Sequence, residues 1–293
     1  MRAVLVSRGE GAARDRPVRA LDLKTKRHVL LRIVEDGARW EREKLLQSCL
    51  DAGPVAPLVD SFRDARGDPA MHVLGYLRPE EELGALLREP RMVSGIKMDV
   101  CKAVVASVAY LHSRGVVMVH LEPDNVVRYG KDWKLLGLKW ARRTGELLGS
   151  VEGLELVSTV PEVVAACAEG RLESVKASVA VDSWGVGSLM YLVQTGEALV
   201  ASGEEARQVL RDGEGPGCVA RIHGYLEGKI DKVEDVMAKY VVENLVCLDA
   251  RDRMLLRDAL LYAPQMGVVQ QDDSSELSWM EAAAGSPAGG HVL

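Results

Sequence analysis

The chain has 293 residues, 47% of them hydrophobic and 27% charged, with a formal net charge of −6 at pH 7. That balance excludes a disordered or collagen-like chain, and the acidic excess argues against non-specific binding to nucleic acid or to an anionic membrane. Aromatic residues are only 4%, with one phenylalanine, Phe62, so Val, Leu and Ala are expected to build the core.

The first third reads as strand-rich. Short Val- and Leu-rich runs at 3–6 and 29–34 are flanked by charged turns, with a breaker at 14–17 that ends in Pro17. Residues 40–50 place Leu45, Leu46, Cys49 and Leu50 on one helical face, and two further strands are expected at 57–62 and 70–77. From residue 83 the pattern is helical. Ile96, Val100, Val104, Val108 and Leu111 recur at helical spacing over 96–114, and Gly115 follows as a stop. A strand-and-loop stretch at 116–162 precedes expected helices at 181–195, 204–211, 231–246 and 254–262. From Met266 the chain turns polar and rich in Gly, Ser and Pro, as flexible or partner-ordered tails do.

Cys49, Cys101, Cys167, Cys218 and Cys247 are scattered and form no CxxC or CxxxC pair. Neither a disulfide framework nor a zinc site is expected, and the cytoplasm or another reducing intracellular compartment is. Arg2, Arg8, Glu10 and Arg14 break any N-terminal apolar run, and the stretch at 183–196 is too short to span a bilayer. No signal peptide and no membrane insertion are expected.

Five segments in chain order then carry a resemblance. VAYLHSRGVV at 108–117 runs into MVHLEPDNVV at 118–127; KLLGLK follows at 134–139, VPE at 160–162, VDSWGVG at 181–187 and LDARDR at 248–253. Together they resemble the landmarks that eukaryotic protein kinases write as H-R-D-L-K-P-x-N, K-x-x-D-F-G, A-P-E, D-x-W-S-x-G and D-P-x-x-R. The resemblance covers roughly residues 5–266. It implies an α+β, bilobal kinase-like fold: a small β-rich N-lobe with one helix at 1–77, a larger helical C-lobe at 78–266, and a tail at 267–293.

The resemblance also implies roles. Asp182 matches the carboxylate that holds the backbone of the catalytic loop, and Glu162 and Arg253 match a buried structural ion pair. Glu43 and Asn125 match retained motif positions. Phosphoryl transfer needs a carboxylate to orient the acceptor hydroxyl, oxygen ligands for the metal, and a cation on the phosphates. Here His120 stands at the base position, Gly137 at the metal-ligating Asp, Glu122 at the catalytic-loop Lys and Arg32 at the phosphate-binding Lys. Glu122 puts a negative charge where triphosphate would sit, and Leu30 crowds the place of a small alanine in the base pocket. Gly9-Glu10-Gly11 is all that remains of a glycine-rich loop. The hydrophobic spine positions are Leu58, Met118 and Leu138, with the polar Gln47 as the fourth. A literal D-F-G is impossible, because the single Phe lies at 62.

These departures lead to the expectation of a non-enzyme. That is a pseudokinase acting as a protein-interaction scaffold or structural subunit, with no cofactor and no metal. Two readings stand beside it: a nucleotide-binding, metal-independent switch using Arg32 and Lys139, and altered chemistry built on His120, Glu122 and Asp124. Other proteins are the expected partners, with Trp279 in the tail as a candidate docking anchor.

Overall fold

Alternation along the early apolar runs gives each strand two faces to bury, and the N-terminal region meets this demand with one antiparallel sheet. The computed structural model describes residues 3–5, 17–34, 36–51, 53–64, 71–89, 92–149, 160–201, 205, 208 and 218–267. Strands β1 (Ala3–Leu5), β2 (Val18–Asp22), β3 (His28–Val34), β4 (Leu58–Asp64) and β5 (Met71–Leu77) pair in the order β1-β2-β3-β5-β4. On one face Val29 and Leu31 pack with Ala20 and Val73, and the lone Phe62 rests against them. On the other, Leu30 and Val34 pack with Trp40, Leu74 and Tyr76. Since side chains alternate along a strand, Arg32 lies on this second face, between Leu30 and Val34. This position aims it at the helix packed there.

That helix is α1 (Gly37–Ser48). The Asp36 carboxylate caps it, accepting from Ala38 N and Arg39 N, and the Trp40 indole donates to Val73 O at 3.1 Å, pinning the helix to β5. Its buried face carries Trp40, Glu43, Leu46 and Gln47. Two of these four are polar, so the helix puts hydrogen-bonding groups into the sheet's inner layer.

The C-terminal region is mostly helical around a second, larger core. Strand β6 (Glu81–Glu82), the short helix α2 (Leu83–Leu86) and the long α3 (Ser94–Ser113) lead to β7 (Val116–Val117). A hairpin follows, β8 (Val126–Tyr129) and β9 (Asp132–Leu135), with β6 on its outer side. Strand β10 (Arg142–Arg143) returns to pair with β7. Helices α4 (Pro161–Ala168), α5 (Val179–Thr195), α6 (Cys218–Ile230), α7 (Val236–Leu245) and α8 (Leu256–Ala259) complete the region. A Cβ on Gly187 would come within 2.6 Å of Val246 Cγ1, so this glycine is what lets α5 lie close to the end of α7.

The expected elements at 3–6, 29–34, 40–50, 57–62, 70–77, 96–114 and 181–195 are present with ends moved by a few residues. The expected helix at 231–246 starts at Val236 instead, because Asp235 caps there and accepts from Ala238 N at 2.7 Å. The one at 254–262 shortens to α8. Strand β2 and helices α4 and α6 went unread: α4 sits behind a proline, and Gly224 and Gly228 interrupt the apolar pattern of α6. Most of 204–211, together with Gly9, Gly11 and Trp279, lies outside the described residues. Among the described residues no helix is long and apolar enough to cross a membrane.

Candidate functional site

The residues matched to kinase chemistry come from β3, α1, the loop between β7 and β8, and the segment after β9. Glu43 is the hub of the upper half. Its side chain is fully buried, and Oε1 accepts from Arg32 Nη1 at 2.9 Å, Tyr76 Oη at 3.0 Å and Leu138 N at 2.9 Å. One carboxylate oxygen thus ties two strands, α1 and the segment after β9 together. Burial, reinforced by the Glu43 charge, raises the Tyr76 hydroxyl well above the ordinary tyrosine range, so it stays a donor.

Gly137 explains the reach of Arg32. Its φ is +78°, and a Cβ there would lie 1.8 Å from Arg32 Nη1. The guanidinium occupies the room that a side chain at 137 would need. A side chain at 137 and the guanidinium at 32 therefore compete for one space, and the guanidinium holds it. A Gly137→Ala variant is expected to lose about 1–3 kcal/mol through left-handed strain and displacement of the guanidinium. In an Arg32→Ala background the added cost falls to the backbone strain alone. Urea denaturation of the four proteins in this cycle checks it, and additive losses would show that the two positions are independent.

In the lower half, Asp182 projects from the first turn of α5 into the loop after β7. Its Oδ2 accepts from Met118 N at 2.7 Å and lies 2.8 Å from His112 Nε2, while Oδ1 accepts from Val119 N at 2.8 Å. These bonds hold Val119 at φ +66°, a conformation that β-branched residues strongly disfavour. The turn presents His120, which is buried, with Nε2 2.7 Å from Glu122 Oε1. His120 Nδ1 is buried and meets no partner among the described residues. The His120 hydrogen bond is the main reason that the Glu122 carboxyl sits below the usual glutamate range; burial opposes it, and the charges of His120 and Lys139 assist.

Asn125 serves the backbone. Its Oδ1 accepts from Glu122 N at 3.0 Å and its Nδ2 donates to Leu136 O at 3.2 Å. Asp124 is exposed and turns toward α2, where a Cβ on Gly84 would lie 1.8 Å from its Oδ1. His120, Glu122 and Asp124 therefore do not converge as one cluster: two pair with each other and the third faces elsewhere. Leu30 is buried in the sheet's inner layer beside Val127 and Leu136. Farther down, Arg253 reaches from the segment before α8 to Glu162 at the start of α4, forming a two-pronged pair at 2.8 and 2.7 Å.

Gln47, the polar spine position, is 9% exposed, and its Nε2 is buried without a hydrogen-bond partner among the described residues. Reading the sequence missed the parts played by Tyr76, His112 and Gly84. His112 alone left a trace, since it precedes Gly115 by three residues in the segment matched to the end of the family's helix.

No protein-family model matches the chain. It is, however, 24% identical over 175 residues to the ribosomal protein S6 kinase beta of Caenorhabditis elegans. The fold is kinase-like. The match takes in 57% of this chain but 29% of that protein's length. It also corrects the expectation of a non-enzyme: the similar protein is by name a kinase.

Proposed function

We propose that this kinase-like protein works by binding other proteins, with its cleft residues serving to hold the sheet region and the helical region in register. The observation that supports the reading is the mutual pairing of the cleft groups. Arg32 and Glu43 engage each other beside Gly137, His120 engages Glu122, and Asn125 engages backbone on both sides. These contacts are made within the protein, and of the same groups only Glu43 Oε2 and His120 Nδ1 are buried without a partner among the described residues.

The likeness to a named kinase favours a second reading, phosphoryl transfer by chemistry that does not draw on a side chain at 137. One set of proteins separates the two: the full chain, His120→Ala and Asn125→Ala. Partners retained on each are identified by mass spectrometry, and γ-phosphate transfer from MgATP and MnATP is measured in parallel. The expected result is the same partner set on all three proteins. Transfer by the full chain that both substitutions abolish, together with altered partners, would replace the binding reading with the second.

A further inference from the structure

Val236 and Tyr240 stand one turn apart on the same side of α7, 63% and 40% exposed. The Tyr240 ring lies 5.0 Å from that of Tyr262, and the residue before Tyr262, Leu261, is 69% exposed. Single exposed apolar residues are ordinary on a protein surface, but a group gathered around a ring pair is a contact face without its partner. The described residues end beside this face. Met266 is buried, and Gly267 N donates at 2.8 Å to Asp235 Oδ2, on the residue that precedes Val236.

We propose that residues 276–280 of this same chain, Glu-Leu-Ser-Trp-Met, dock on that face, with Trp279 as the anchor. The first support is position: the segment issues from a point that Asp235 fixes next to Val236. The second is reach. Trp279 is twelve positions beyond Gly267. That length spans about 17–21 Å as a flexible coil and about 40 Å at full stretch. Tyr240 lies only about 6 Å farther along the helix than Val236. The third is chemistry. Trp279 is the only Trp, Tyr or Phe among residues 268–293, with Leu277 and Met280 close by. An indole buries about 150–250 Å² and packs favourably edge to face or offset against rings such as those of Tyr240 and Tyr262. Tethering does the rest: a segment held this near competes at about millimolar effective concentration, so even a weak contact closes within the chain.

This contact goes beyond the reading of the cleft and stands whether the protein acts by binding partners or by phosphoryl transfer. It also makes the face a regulator of the tail, because a partner that takes Trp279 must first displace it from α7.

The probe is a fluorescently labelled synthetic peptide of residues 272–284. It is titrated against the full chain, against Trp279→Ala, and against Trp279→Ala combined with Val236→Glu, Leu261→Glu or, as a control in the sheet region, Leu45→Glu. All three added sites are exposed, and a carboxylate at 236 suits the first turn of a helix, so the variants are expected to fold. A peptide of about 100 μM affinity is masked about tenfold by a tethered competitor at millimolar effective concentration. The expected result is binding at least tenfold tighter to Trp279→Ala than to the wild type. Val236→Glu and Leu261→Glu should each abolish that gain, and Leu45→Glu should keep it. Equal affinity for the wild type and Trp279→Ala, or no binding at about millimolar peptide, overturns the proposal. So does a gain that survives either face substitution or is lost with Leu45→Glu. Sedimentation of the wild type and Trp279→Ala closes the remaining route: a dimer that depends on Trp279 would place the segment on a second copy and overturn docking within one chain.

Discussion

Replacing Arg253 with methionine is expected to lower the free energy of unfolding by about 3–5 kcal/mol, because it removes a buried cation that pairs with the 32%-exposed Glu162 and also donates to three backbone carbonyls. The guanidinium is fully buried and uses all five of its N–H donors. Nη1 and Nη2 take the two oxygens of Glu162, Nη1 also reaches Ala180 O, Nε donates to Cys247 O at 2.8 Å, and Nη2 lies 3.3 Å from Leu248 O. The cation also sits 5.2 Å from the centre of the Trp184 ring. Methionine keeps much of the volume but leaves a carboxylate and three carbonyls without their donor. Glu162→Gln should cost less, because the amide oxygen still accepts and the carbonyls keep their partner. Urea denaturation of the two variants measures the order. A loss below about 1 kcal/mol for Arg253→Met would reduce the pair to the worth of an exposed salt bridge.

The pair was legible in the sequence because its members carry charge inside motif-like segments whose order along the chain is diagnostic. The same holds for Asp182. What the sequence hid depends on conformation. The His120–Glu122 contact joins residues two apart in a loop, and it forms only because Val119 takes a left-handed turn that nothing in its identity suggests. Gly137 read as a lost ligand, yet the space it leaves is filled by Arg32, on a strand more than a hundred residues earlier. A missing side chain shows in a sequence, but the group that moves into its place does not. Asp124 read as part of a polar cluster and faces a glycine of α2 instead. Packing against a distant element decided each of these cases.

Converting Asp182 to asparagine is expected to be as damaging as any single change in the cleft, about 3–5 kcal/mol, although the side chain keeps its shape. The carboxylate is 3% exposed and accepts from two backbone amides with separate oxygens. Asparagine replaces one of those oxygens with an NH₂, so a donor must face Met118 N or Val119 N in a site that excludes water. The loss then spreads along the loop. Val119 holds its strained φ only while both amides are fixed, and the buried His120 and its contact with Glu122 follow from that turn. Two measurements read this out. The urea midpoint should fall, and amide hydrogen exchange at Met118 and Val119, whose N–H groups Asp182 holds, should accelerate well beyond that of β3 in the sheet region. Exchange that quickens equally everywhere would point to global unfolding alone and deny Asp182 its local hold on the loop. A variant of wild-type stability would deny it any hold at all.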